Sequence, residues 1–110
     1  MSVLASIVPK LVAEVSAALI AEGRGEFIPQ LESGIIERCS YDQSVEAGYV
    51  YFVRPAPSLH FAKLAVPIAE TISFLDVGFN IDIDHDGYIF GIEFLDRADF
   101  VAELRSANVL

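Results

Sequence analysis

Residues 80 to 96 read Asn80-Ile81-Asp82-Ile83-Asp84-His85-Asp86-Gly87-Tyr88-Ile89-Phe90-Gly91-Ile92-Glu93-Phe94-Leu95-Asp96, and their carboxylates are the groups whose spacing suggests chemistry. A calcium loop of the EF-hand type needs oxygen ligands at loop positions one, three, five and twelve, glycine at six and an apolar residue at eight. Asp82, Asp84, Asp86 and Glu93 fall on the ligand positions, with Gly87 sixth and Ile89 eighth. Divalent-cation binding, with Ca2+ as the ion, is thus the sharpest chemical reading of the chain. The flanks oppose it. An EF-hand loop joins two helices, whereas Phe79, Ile81 and Ile83 alternate with Asn80, Asp82 and Asp84 at a period of two. The exit from Phe90 to Phe94 is poor in helix formers, and no second loop is present to pair with the first. The same residues make a β-hairpin around Asp84-His85-Asp86-Gly87, where Gly87 is free to take positive φ. The hairpin is the expectation. It puts Asp82 and Asp84 on one face, Asp86 in the turn and Glu93 some way along the return strand, as a loose cation site or as plain turn charges.

The other reactive side chains are isolated. His85 sits at the tip of this turn and His60 in a proline-rich loop, where a lone histidine is ordinarily just exposed. Cys39 is the single cysteine, so no intrachain disulfide forms; within a strand it reads as a small buried hydrophobe. Tyr41, Tyr49 and Tyr51 with Phe52 suggest either a small-ligand pocket or, as is commoner for strand aromatics, core. Glycine-rich phosphate loops, paired-cysteine zinc spacings and serine-hydrolase elbows are absent from the sequence. No enzyme is expected, and no cofactor apart from the calcium alternative.

The elements that must hold these residues follow from composition and periodicity. With 110 residues and 54% hydrophobic content, the chain is expected to form one domain, 1–110, with a core that needs no disulfide or structural metal. Its net charge is −9, of which residues 69–99 carry −7. Such a surface repels nucleic acid and anionic membranes and favours cations or basic proteins. No apolar run reaches a membrane span, and a cytoplasmic location is expected.

The segment 1–34 reads as helical. Leu4, Ile7, Val8, Leu11, Val12, Val15, Ala18 and Leu19 keep a three-four spacing, Pro9 suits a first turn, and Gly23 suits a C-terminal stop. So much apolar surface on one helix suggests burial on two sides, and hence a homo-oligomer. Residues 35–95 read as a β-meander of about five strands, including Ile35 to Tyr41, Tyr49 to Val53, Thr71 to Phe74 and the two arms of the hairpin. Gly91 hints at a bulge or a close approach. Residues 96–107 read as a short C-terminal helix capped by the Asp96 side chain. The fold class is α+β: a single antiparallel meander with the N-terminal helix packed on the sheet.

Two blocks carry a resemblance. Tyr41-Asp42-Gln43-Ser44-Val45-Glu46-Ala47-Gly48-Tyr49-Val50 is similar to a Tyr-Asp-x-x-x-Asp-x-Leu-Tyr-Ile opening, and Asp82 to Gly87 followed by Gly91-Ile92-Glu93-Phe94-Leu95-Asp96 to an acidic turn closed by Gly-Ile-Glu-Ile-Leu-Asp. Together, over residues 36–98, they resemble the prokaryotic domain-of-unknown-function family 2283. Glu46 and Gly48 depart from the pattern, as does the long loop after Val53. The resemblance implies a meander and no catalytic residues. It also implies an antitoxin-like role, since genes of that family lie in places beside those of small toxins. The expectation is therefore a non-enzymatic interaction and oligomerisation module that takes a basic protein on its acidic 69–99 face, with the cation-binding and small-ligand readings as alternatives.

Overall fold

A computed structural model of the chain describes residues 3–56 and 67–110. His60 and most of the proline-rich loop lie outside the described residues. In chain order the elements are α1 (Leu4–Ile7), α2 (Pro9–Ala21), a 3-10 turn (Gly25–Phe27), α3 (Ile28–Ser33), β1 (Ile36–Asp42), β2 (Ala47–Phe52), β3 (Ile68–Phe74), a second 3-10 turn (Leu75–Val77), β4 (Phe79–Asp84), β5 (Ile89–Leu95) and α4 (Ala98–Ser106). The segment from Phe79 to Leu95 is two antiparallel strands, so the period of two outweighed the match to a calcium loop.

The five strands among the described residues join one antiparallel sheet in the order β1-β2-β5-β4-β3. Strands β3, β4 and β5 form a meander, and the β1–β2 hairpin docks on it through β2 against β5. Four neighbours, β2-β5-β4-β3, have the order of a Greek key. One sheet face carries Val50, Phe52, Ile72, Phe74, Phe79, Ile81, Ile83, Ile89, Ile92 and Phe94, all buried. The helices close this face. Within the chain α2 buries one stripe, Leu11, Val12, Val15 and Leu19, while Ile20 points outward. Its end is a Schellman turn, with Gly23 at φ 71° and the Arg24 N–H donating to the Leu19 carbonyl. Its start is capped from afar, as the Glu103 carboxylate of α4 accepts the N–H groups of Lys10 and Leu11 at 2.8 and 2.9 Å. A negative group at a helix N-terminus satisfies orphan donors and suits the helix dipole, so Glu103 binds the two helices together. No helix among the described residues is long and apolar enough to cross a membrane.

Asp96 does not cap α4. The N-cap is Arg97, and Asp96 is held one residue earlier in the left-handed region, φ 53°, where its N–H donates to the Glu46 carbonyl. Glu46, at φ 52°, has the same unusual conformation, so two non-glycine residues at one end of the central strands sit in a strained backbone region.

Candidate functional site

The residues opposite the core side of the sheet form rows across it. Strand pairing aligns Thr71, Asp82, Gly91, Tyr51 and Arg38 from β3 to β1, and beside them Ser73, Asn80, Glu93, Tyr49 and Ser40. A register shift after Asp82 marks a bulge in β5, which brings Phe90 to the same side as Gly91. A Cβ on Gly91 would lie 2.1 Å from the Tyr49 ring, so only glycine lets that ring cross its strand. Tyr49 thereby reaches from its own row into the next and donates to Asp82 at 2.5 Å, while Thr71 donates to the other Asp82 oxygen at 2.6 Å. Burial raises the Tyr49 phenol well above its ordinary pKa, and the Asp82 hydrogen bond adds to the effect.

Asp84 is spent differently. Its Oδ2 accepts from Arg54 at 2.7 Å, and its Oδ1 accepts the N–H groups of Asp86 and Tyr88, fastening the hairpin turn. Arg54 also lies 4.4 Å from the centre of the Phe90 ring. Gln30 of α3 grips the same turn, donating to the Gly87 carbonyl and accepting from the Ile89 N–H.

The expectation that these acids are surface charge is corrected for two of them. Asp82 and Asp84 are only 9% and 6% exposed, with their oxygens taken by internal donors. Asp86 is in the exposed turn, and Glu93 accepts from Asn80 at 3.2 Å. The four candidate cation ligands are therefore spread along the hairpin, and no group of three or more His, Cys, Asp or Glu able to hold a metal ion occurs among the described residues. The tyrosines also divide. Tyr49 and Tyr51 face away from the core, whereas Phe52 lies in it and Tyr41 packs against it, so they line no common pocket. Cys39 is half-buried, and burial pushes its thiol up to about 11.

At one end of the sheet a groove of about 830 Å3 opens between α2, the 3-10 turn before β4 and the end of β5. Its apolar lining includes Leu75, Val77 and Leu95, which are 72%, 43% and 37% exposed, with the small Ala17 and Ala18 of α2 opposite. Its acids are Glu14, Asp76 and Asp96. Arg97 holds the walls together: its guanidinium donates to the Val77 carbonyl at 2.7 Å, pairs with Asp99 and with Glu14, and lies over the Phe100 ring. The guanidinium in turn holds the Asp99 carboxyl well below the usual carboxylate range. Gly78 completes the tight turn at φ 79°, where a Cβ would meet the Leu95 carbonyl oxygen at 2.7 Å. Asp96, which lines the groove, also shares a hydrogen bond between its carboxyl and that of Glu46, and this raises the pKa of Glu46. No local pattern in the sequence marks Arg54, Thr71, Gln30 or Arg97 for these roles, since each acts on a residue distant in the chain. Compared with family models, with curated proteins and with solved structures, the chain matches none of them.

Proposed function

We propose that this protein is a non-enzymatic interaction module whose working surface is the groove at the end of the sheet, and that it takes a basic protein there. The observation that carries the reading is the coincidence of Leu75, Val77 and Leu95 with Asp76 and Asp96 around one concavity. Single exposed apolar side chains are ordinary, but several around an acid-bordered groove mark an interaction surface. The groove is also built in advance, because Arg97 ties three elements around it, and a preformed surface loses less freedom on binding. Membership of family 2283 is part of this proposal. It is supported by the way the two resembling blocks, far apart in the chain, pair as β2 against β5.

Titration of isotope-labelled protein with poly-lysine tests the reading. The expected result is that the largest amide shifts fall on residues 75–78 and 95–97 and on Glu14, and that salt reverses them. Equal shifts at Glu32, Glu37 and Asp86 would reduce the acids to solubilising charge and end the proposal.

A further inference from the structure

The groove constrains its occupant further, if the interaction reading above holds. Its lining is apolar and its border acidic, so neither a purely charged nor a purely apolar ligand uses both. It is more open than enclosed, whereas small-molecule sites enclose most of their ligand's surface. A second copy of this chain is disfavoured, because it would bring Asp76 and Asp96 against themselves on a molecule that already carries a net charge of −9. Small side chains on one wall, Ala17 and Ala18, leave room for another backbone to approach α2. Glu14 is already committed to Arg97, which leaves Asp76 and Asp96 as the negative charges best placed to meet a cation.

We infer that the occupant is a short amphipathic basic segment of a partner protein. Its apolar side chains rest on Leu75, Val77 and Leu95, and its Lys or Arg residues reach Asp76 and Asp96. Apolar contact then supplies affinity, and the charged border supplies orientation and selection against acidic partners.

The test uses the full chain and three synthetic peptides of equal length: Leu with Lys at helical spacing, Leu with Glu at the same spacing, and Ser with Lys. Binding is followed by fluorescence anisotropy at an ionic strength of about 0.15 M. The proteins are the parent, Asp76→Asn/Asp96→Asn, Leu75→Ser/Val77→Ser, and Glu32→Gln/Glu37→Gln as a control with the same loss of charge, each checked for native circular dichroism. The expected result is that Leu/Lys binds the parent best, weakens about tenfold with either groove variant, and keeps its affinity for the control within about twofold. If Leu/Lys and Ser/Lys bind alike and Leu75→Ser/Val77→Ser changes nothing, the amphipathic occupant is wrong while a basic partner held by charge survives. If the control weakens binding as much as the groove variant Asp76→Asn/Asp96→Asn, the groove itself is wrong and both proposals fall. If no peptide binds and the protein self-associates through Leu75 and Val77, the surface belongs to a second copy and both likewise fall.

Discussion

Asp82 and Asp76 lie six residues apart in the same acidic stretch, yet they do opposite work. Asp82 is buried among the donors of Tyr49 and Thr71, and Asp76 lies exposed on the border of the groove. The first holds three strands together, and the second is charge offered outward. The difference shows that net charge counted along a sequence overstates the charge a surface presents. A carboxylate on the non-core face of a sheet is still internal when a neighbouring strand brings a donor over it.

The contrast is broken most directly by alanine. Asp82→Ala leaves two donors without their acceptor, and a loss of about 3 kcal/mol in urea unfolding is expected. Asp76→Ala, at an exposed site, is expected to change stability by less than about 0.5 kcal/mol. Equal effects would erase the distinction between the two regions. Gly91→Ala sharpens it: the new methyl displaces the Tyr49 ring, so a loss of about 2 kcal/mol is expected, with the Tyr49 fluorescence altered.

Arg97→Met probes the groove side through pH. Asp99 is depressed in the folded state, so its contribution to stability is present above its unfolded pKa and is lost as pH falls through the folded one. The parent should therefore lose stability on acidification below about pH 4, and Arg97→Met should flatten that limb of the curve. A smaller change is expected from calcium. At about 1 mM it should shift the unfolding midpoint no more than magnesium does, and Glu93→Gln should leave that shift unaltered; a large calcium-specific shift lost in the variant would restore the cation reading. The smallest effect is expected for Glu46→Gln, whose amide can donate to Asp96 without taking up a proton and without a second negative charge. It should raise the midpoint slightly at neutral pH, and less at acid pH, where the Glu46 carboxyl can make the same hydrogen bond.

Much of the fold was legible because it is written in local periods. The three-four spacing from Leu4 to Leu19 marks the helical segment, and the alternation from Phe79 to Ile83 decided between hairpin and calcium loop. What stayed hidden depends on partners distant in the chain. Nothing near Asp82 announces Tyr49, which reaches it only because β2 pairs with β5 and Gly91 clears the path. The cap of α4 was misplaced by one residue for the same kind of reason. Aspartate is a good N-cap, but the Asp96 N–H is drawn to Glu46 and its backbone turns left-handed. The groove was invisible for a further reason: it is lined from three stretches, α2, residues 75–80 and residues 95–97, and none of them is unusual alone.

The strand order has a consequence for the chain as it is made. β5 is the middle strand of the sheet and the last to be synthesised, so a ribosome presents β1–β2 and β3–β4 as two ribbons with nothing between them. Each ribbon leaves one apolar face and an unpaired inner edge open to solvent, and two-stranded ribbons are marginal alone. At roughly 5–20 residues per second, translation from the end of β4 to the end of β5 holds that interval open for roughly half a second to two seconds. During it the nascent protein is exposed to wrong pairings that the finished one, with β5 in place, no longer permits.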